Sequence, residues 1–294
     1  MKNLIVNQLI SSCEPHDFIS TMLTIFTIPK SFTDPRINII QRNAIKSWTL
    51  LRPACEIFLV GNDEGVKETA EELKIKHIPE VKCNEFGTPL LNSAFDLAKK
   101  YSKNNILCYI NSDIILVSDF IDAIKYLPGE NFLTVGQRHD LDVDFLIDYK
   151  NPSWDKKIIG KTNKDALLHS PAGIDYFIYN KNTFIDLPEL AVGRIGWDNW
   201  VIKNARWEKI KVIDASGMIT AIHQNHGYPE SNQGRARKTN PEAKKNLSYT
   251  KCNPYFFTIE DANYKLAKNG LKKKKLYWLP FLKRYLKYLL DKIK

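Results

Sequence analysis

The sequence contains few cysteines and no long apolar run. Its five cysteines are scattered, and no two of them form a Cys-x-x-Cys pair. This pattern disfavours a disulfide framework or a thiolate zinc site and favours reduced thiols in the cytoplasm. No apolar stretch is long enough to span a bilayer, and polar residues interrupt the apolar ones in segment 1–10. We therefore expect a cytoplasmic location, with no membrane span and no signal peptide.

The basic excess is confined to the end of the sequence. The net charge is +10, and residues 265–294 contain 11 basic residues and one acidic residue, whereas residues 1–264 contain 32 of each. A nucleic-acid-binding enzyme more often distributes its basic charge over its working face. Nucleic acid is therefore not an expected partner.

The middle of the sequence alternates between strand-like and helical patterns. The alternating runs cover residues 22–28, 36–51, 56–60, 66–73, 76–78, 89–101 and 106–110. This order predicts an α/β fold with a mostly parallel, twisted, Rossmann-like sheet flanked by helices. We expect an extension over 1–20, one domain over 21–262 and a basic tail over 263–294. A polar stretch over 229–246 predicts a loop.

The apolar strand at 106–110 ends abruptly at Asn111-Ser112-Asp113. Burial of the strand would fix the direction of the Asp113 carboxylate. Carboxylate oxygens suit Mn²⁺ or Mg²⁺, which also keep positions for phosphate. Such a cation would stabilise the charge of a departing diphosphate. The alternative is that Asp113 only caps the following turn.

The order of strand, helix, strand, helix, strand, Asn-Ser-Asp and helix resembles the GT-A glycosyltransferases, particularly the family 2-like group, over residues 22–228. Their motif at this strand end is usually Asp-x-Asp, and Asn111 replaces the first Asp here. The resemblance implies transfer of a sugar from a UDP- or GDP-linked donor to a hydroxyl of a glycan or lipid-linked acceptor. It makes Asp113 a metal ligand and places Asn111 and Ser112 beside it in the donor site, with Asn111 near a ribose or a metal-bound water.

The resemblance also implies nucleotide contacts at other strand ends. The loop after the first strand would border the base with Thr27, Ile28 and Pro29. Asp63 would lie near the base or ribose. Free N–H groups around Gly87 and Thr88, before the helix at 89–101, would bind phosphate or ribose oxygens. A simple turn followed by a proline at the start of the helix explains Gly87 equally well.

The segment Ile195-Gly196-Trp197-Asp198-Asn199-Trp200 combines a glycine turn, a carboxylate and two tryptophans. The resemblance implies that Asp198 is the general base of an inverting enzyme, which removes the proton of the acceptor hydroxyl. Trp197 and Trp200 would stack on sugar faces. The alternative is a carboxylate favoured by the helix dipole, flanked by core tryptophans.

Further polar residues follow later strands. In many GT-A enzymes a C-terminal histidine completes the metal shell, and His223 and His226 both remain candidates here, with His226 preferred because Gly227 would let it turn inward. Arg138 is expected to pair with phosphate or a sugar hydroxyl, and Asp175 to hold the donor or acceptor sugar. A surface salt bridge and a strand-end cap are the respective alternatives.

The tail combines four consecutive lysines, 272–275, with apolar residues at helical spacing beyond Pro280. This pattern predicts a basic amphipathic helix lying on the inner face of an anionic membrane. A helix docked on the protein body, with a solvated basic face, is the alternative.

Two other functions are weighed against glycosyl transfer. A sugar-nucleotide nucleotidyltransferase normally has a glycine-rich loop after its first strand, and the loop at 27–32 has no glycine. A non-catalytic carbohydrate- or membrane-binding protein that retains the fold is favoured by Asn111 in place of an aspartate.

Overall fold

The computed structural model describes residues 23–183, 186–227, 239–249 and 257–293. The strands are β1 (Leu23–Thr27), β2 (Glu56–Val60), β3 (Lys76–Ile78), β4 (Ile106–Ile110), β5 (Ile114–Leu116), β6 (Phe132–Val135), β7 (Arg138–Leu141), β8 (Leu167–Leu168), β9 (Tyr176–Asn180), β10 (Lys211–Asp214), β11 (Ala221–Gln224), β12 (Tyr264–Ala267) and β13 (Gly270–Lys273). The helices are α1 (Pro35–Thr49), α2 (Val66–Leu73), α3 (Leu91–Tyr101), α4 (Asp119–Ile124), α5 (Trp154–Asp165), α6 (Trp197–Trp207), α7 (Pro241–Ser248) and α8 (Leu279–Ile293).

The large sheet has nine strands in the order β13-β12-β10-β6-β9-β4-β1-β2-β3. Its strands run parallel except β9, which is antiparallel to β4 and β6, and β13, which is antiparallel to β12. The predicted α/β class with a mostly parallel sheet flanked by helices is therefore confirmed.

Helices cover both faces of this sheet because its central strands are apolar on both sides. In β4, Cys108 and Ile110 pack in one buried cluster with Trp48 of α1, whereas Leu107 and Tyr109 pack in a second cluster with Phe95 of α3. This alternation follows from the two-residue period of a strand. Strands buried on both faces are continuous apolar runs, as parallel sheets require.

A smaller sheet has the order β5-β11-β7-β8. Its strand β5 begins immediately after Asp113, where the amide of Ile114 donates to the carbonyl of Asn111 at 3.2 Å. The chain thus passes from the large sheet to the small one at Asn111-Ser112-Asp113. The motif lies at the joint between the two sheets.

The first strands of the predicted tail belong to the large sheet. Strand β12 pairs in parallel with β10, and β13 pairs with β12. Leu266 is buried in the core, while the lysines of β13 are exposed. The stretch 264–273, which the sequence places in a basic tail, is therefore an edge hairpin whose apolar side chains pack inward. The sequence does not reveal this hairpin, because its lysines make the stretch resemble the rest of the basic tail.

One helix lies in a stretch that the sequence predicts to be a loop. Part of the predicted loop at 229–246 is helix α7, whose start is capped by Asn240 accepting from the amides of Glu242 and Ala243. The predicted extension at 1–20 lies outside the described residues. Within the described ranges, no helix combines the length and apolar character needed to cross a membrane.

Candidate functional site

The polar side chains of interest gather at the carboxyl end of β1 and β4. Strand β1 lies between β2 and β4, so the strand order reverses beside it. Open α/β sheets bind ligands outside the carboxyl ends of strands at such a reversal. Strand β9 runs antiparallel to β4, so Asp175, just before β9, arrives at the same edge as Asn111.

Asp113, His223 and His226 form the centre of the site. Asp113 Oδ2 lies 3.1 Å from His226 Nε2 and 3.6 Å from His223 Nε2. One donor atom from each of the three residues can be chosen so that all lie within 4.8 Å of one another. The sequence alone does not decide between the two histidines, and the structure brings both to Asp113.

The donor atoms of this group fit a divalent cation. Asp113 Oδ1 and both ring nitrogens of His223 are buried and make no hydrogen bond in the structure. Buried polar atoms are nearly always satisfied, so such a cluster indicates an absent ion or water. One carboxylate and two imidazoles are a common set of metal ligands.

The local charges keep the Asp113 carboxylate ionised, which is its metal-binding form, but favour a proton on His223. Burial would raise the pKa of Asp113, but His223 and His226 outweigh it and hold the pKa well below its ordinary range. Burial likewise would lower the pKa of His223, and Asp113 raises it overall. A cation would take the place of these protons and interact with the same carboxylate.

Gln224 holds the Asp113 backbone in place. Its amide N–H and its side-chain Nε2 both donate to the Asp113 carbonyl, at 3.2 and 3.1 Å. Gln224 Oε1 in turn accepts from Asn43 Nδ2 of α1 at 3.0 Å. Neither residue is recognisable as part of the site from the sequence, because only the pairing of β11 with β5 brings Gln224 to the motif.

Arg138 and Asp175 form a buried ion pair. Arg138 Nη1 lies 2.9 Å from both oxygens of Asp175, and Arg138 Nε donates to Asp140 Oδ1 at 2.9 Å. Asn111 Nδ2 also donates to Asp175, at 2.7 Å. The predicted contacts of Arg138 with phosphate and of Asp175 with sugar are corrected, because both groups are buried and engaged with each other. The Asn111 amide is likewise directed at Asp175.

Asp140, which the sequence analysis also misses, connects the ion pair to the histidines. Its Oδ2 lies 2.5 Å from His169 Nδ1, and its Oδ1 lies 3.1 Å from His223 Nδ1, though without hydrogen-bond geometry. Burial would raise the pKa of Asp140, but His169 and Arg138 lower it overall. A carboxylate behind a metal-binding imidazole is the usual device for orienting the ring.

Gln41 of α1 links the loop after β1 to the motif. Its side chain accepts from the Lys30 amide at 2.7 Å, donates to the Lys30 carbonyl at 2.9 Å, and accepts from Ser112 Oγ at 2.8 Å. Ser112 thus positions this loop. The side chains of Thr27, Ile28 and Pro29, predicted to border the base, are all buried. The first exposed side chain after β1 is that of Lys30.

The turn at 84–88 does not offer the free N–H groups that the sequence predicts. The amides of Phe86 and Thr88 donate to Asn84 Oδ1, and the amide of Gly87 donates to the Asn84 carbonyl, each at 3.0 Å. Leu91, the first residue of α3, donates to Leu190. The predicted phosphate contact of Gly87 and Thr88 is corrected, since the turn satisfies its own amides; Gly87 adopts a φ of 79° to close it.

The other side of this turn contacts α7. Glu242 of α7 accepts from Asn84 Nδ2 at 2.8 Å and from Arg194 Nε at 2.7 Å. Asp63, predicted to lie near the base or ribose, is exposed beyond the carboxyl end of β2, and its carbonyl accepts from the Val66 amide.

Asp198 lies in the first turn of α6 and is partly exposed. The preceding Trp197 packs on Tyr109 of β4 and Phe177 of β9, with ring centroids 5.4 and 5.0 Å apart. Each of these two residues is two positions from a polar residue of the site, Asn111 or Asp175. The start of α6 is therefore held at the same edge of the sheet.

The predicted stacking of Trp197 and Trp200 on sugars is corrected. Their exposed fractions are 6% and 9%, and both belong to the buried cluster between the sheet and α6. Their apolar area stabilises the attachment of α6, so they position Asp198 rather than line an open groove.

No protein-family model and no curated protein matches this chain. Among solved structures, it is similar to a Desulfovibrio desulfuricans G20 protein described as a nucleotide-diphospho-sugar transferase, with 9% identity and a TM-score of 0.42 over 78% of this chain and 94% of that one. It is also similar to glucosyl-3-phosphoglycerate synthase from Mycobacterium tuberculosis, with 13% identity and a TM-score of 0.45 over 78% of this chain and 80% of that one. A structure of that synthase with Mn²⁺, UDP and phosphoglyceric acid has 13% identity and a TM-score of 0.44, over 78% of each chain.

Proposed function

We propose that this protein is a metal-dependent glycosyltransferase that uses a nucleotide-diphosphate sugar, UDP- or GDP-linked, as donor. The observation that carries this proposal is the convergence of Asp113, His223 and His226 at the strand-order reversal, with buried donor atoms that lack hydrogen bonds. The acceptor is a hydroxyl of a glycan or of a lipid-linked glycan.

Asp113, His223 and His226 would hold Mn²⁺ or Mg²⁺, and the two imidazoles favour Mn²⁺. When bound, the cation supplies positive charge that stabilises the departing nucleoside diphosphate. The protein's own contribution is to hold the Asp113 backbone through Gln224 and to keep His223 beside Asp140.

Asp198 acts as the general base in this proposal. Its side chain accepts the amide of Asn199 at 2.9 Å and stays partly exposed at the head of α6. From there it would take the proton of the acceptor hydroxyl as that oxygen attacks the anomeric carbon from the face opposite the diphosphate. The anomeric configuration would be inverted.

Calorimetry of the full chain with UDP- and GDP-sugars, with and without Mn²⁺, tests the proposal, followed by an assay of donor hydrolysis. We expect metal-dependent binding of one donor class and slow hydrolysis. Asp113→Asn should abolish both, because it removes the carboxylate ligand. Asp122→Asn is the matched control, since Asp122 is exposed on α4, and it should behave as the wild type.

Two results would contradict the proposal. Donor hydrolysis by Asp113→Asn at the wild-type rate would show that Asp113 is not a ligand of a required metal. Metal-dependent nucleotide binding with no hydrolysis, and no transfer to any glycan acceptor offered, would favour a non-catalytic binding protein. Asp198→Asn separates donor binding from catalysis, because this variant should bind the donor normally and lose transfer.

A further inference from the structure

Helix α8 is attached to the protein body along one side. Phe281 packs against Phe257 with ring centroids 5.0 Å apart, and Arg284 forms ion pairs with Glu260 and Asp261. Positions 281 and 284 lie on the same side of a helix, because residues three apart are neighbours on its surface. The alternative of a helix docked on the body is therefore correct for this side.

The other side of α8 is apolar and exposed. Four exposed leucines on this side span an arc of about 100° at 3.6 residues per turn. Their exposed fractions are 37%, 50%, 38% and 62% for Leu282, Leu286, Leu289 and Leu290. Trp278, which precedes the helix, is 51% exposed. A soluble protein rarely leaves such a row of large apolar side chains uncovered without an interaction partner.

Basic side chains border this apolar face. Lys283 and Lys287 are exposed one turn apart on α8, and further exposed lysines lie at positions 272 and 273 of the preceding hairpin and at 275 after it. The whole net charge of +10 arises in residues 265–294. An apolar helix face bordered by lysines complements a bilayer with anionic headgroups, because the leucines enter the acyl boundary while the lysines stay among phosphates.

We propose that α8 docks parallel to an anionic lipid surface through Leu282, Leu286, Leu289 and Leu290, with the lysines of α8 and β13 contacting the headgroups. A protein groove would satisfy the leucines equally well. Lys283 and Lys287, exposed beside the leucines on α8, favour the membrane over that alternative.

The attachment of α8 also connects the docked helix to the segment that carries the candidate base. The carbonyl of Phe257 accepts from Asn199 Nδ2 at 2.7 Å, and the amide of Ile259 donates to the Pro171 carbonyl at 3.0 Å. Asn199 follows Asp198 directly. Resting on the proposed function, this arrangement selects a lipid-linked acceptor over a free glycan, because only the former would be concentrated at the docked face.

Flotation of the full chain with vesicles tests the docking without metal or nucleotide. We expect it to float with phosphatidylcholine vesicles that contain phosphatidylglycerol and not with phosphatidylcholine alone. Leu286→Asn with Leu290→Asn should reduce partitioning at least about tenfold. Lys283→Gln with Lys287→Gln should reduce it by about 30-fold at low salt, and high salt should have a similar effect on the wild type.

Matched controls come from the protein body. Leu146→Asn with Leu167→Asn removes an exposed apolar pair, 60% and 76% exposed, and Lys156→Gln with Lys157→Gln removes an exposed lysine pair on α5. Both should float like the wild type. Failure of the wild type to bind anionic vesicles, or equal losses in the controls, overturns the docking. So does a dimer that the leucine pair converts to a monomer while vesicle binding is absent.

Sugar transfer is assayed separately, with a lipid-linked and a water-soluble acceptor. We expect the leucine variant to keep its Mn²⁺ affinity and lose transfer only to the lipid-linked acceptor. Equal transfer to both acceptors by the wild type would overturn the selection of a lipid-linked acceptor. Vesicle binding without any transfer would instead overturn the proposed function and leave the docking in place.

Discussion

At the scale of residues, the site depends on side chains that bind no ligand themselves. Asp113 is held by Gln224, and Gln224 by Asn43. Asp140 lies between Arg138 and two histidines. Such supporting groups fix the geometry of metal ligands and so influence affinity as the ligands do.

Asp140→Asn should lower Mn²⁺ affinity about 10- to 100-fold, because the carboxylate that orients His223 loses its charge. Isothermal titration with Mn²⁺ measures this. Asp144→Asn is the control, since Asp144 is an exposed residue of the following loop. If Asp140→Asn binds Mn²⁺ like the control, Asp140 has no part in positioning the site.

Arg138→Met should destabilise the protein by about 3–5 kcal/mol, because it leaves the buried Asp175 carboxylate without its ionic partner. Denaturant unfolding measures the loss. Adding Asp175→Asn should recover part of it, since an uncharged amide replaces the unpaired carboxylate. A single variant as stable as the wild type would show that the buried pair contributes no net stability.

At the scale of elements, the structural boundary in the last part of the chain differs from the boundary that the charge pattern predicts. The hairpin of β12 and β13 completes the large sheet, whereas α8 is attached by a few contacts. The burial of Leu266 against the core distinguishes the two.

Truncation after residue 262 should therefore yield an insoluble or molten protein, because it exposes β10 and removes Leu266 from the core. Truncation after Lys275 should fold, with a modest fall in Tm. Circular dichroism and thermal melting compare the two proteins. Similar Tm values for both truncations would mean that the hairpin is dispensable and that the boundary drawn from charge is the functional one.

At the scale of the whole molecule, the cation should stabilise the fold because its ligands come from distant parts of the chain. Asp113 follows β4 in the large sheet, while His223 lies in β11 of the small sheet. At a Mn²⁺ concentration 100 times its Kd, the stabilisation is about 2.7 kcal/mol, or a rise of about 5 °C in Tm. Thermal melting with Mn²⁺ and with EDTA measures it. The rise should vanish in Asp113→Asn, and an equal rise in that variant would place the cation elsewhere.

The sequence by itself determined the α/β class and the positions of most central strands, and it singled out Asp113, His223 and His226, which the structure brings together. These features depend on local patterns, because a buried parallel strand is a continuous apolar run and the polar residues after it meet at one edge of the sheet. The start of α6 at Gly196-Trp197 could also be predicted from a local pattern, the glycine turn before the helix.

Only the tertiary structure decided what the other polar residues do. Arg138 and Asp175 are 37 residues apart, and their mutual neutralisation depends on β7 and β9 belonging to different sheets that meet at the site. The amides of residues 86–88 donate their hydrogen bonds to Asn84. Trp197 and Trp200 are buried because α6 packs on the sheet. The residue type determines which bonds a side chain can make. Whether that side chain is available to a ligand depends on its neighbours in the fold, which come from distant parts of the sequence.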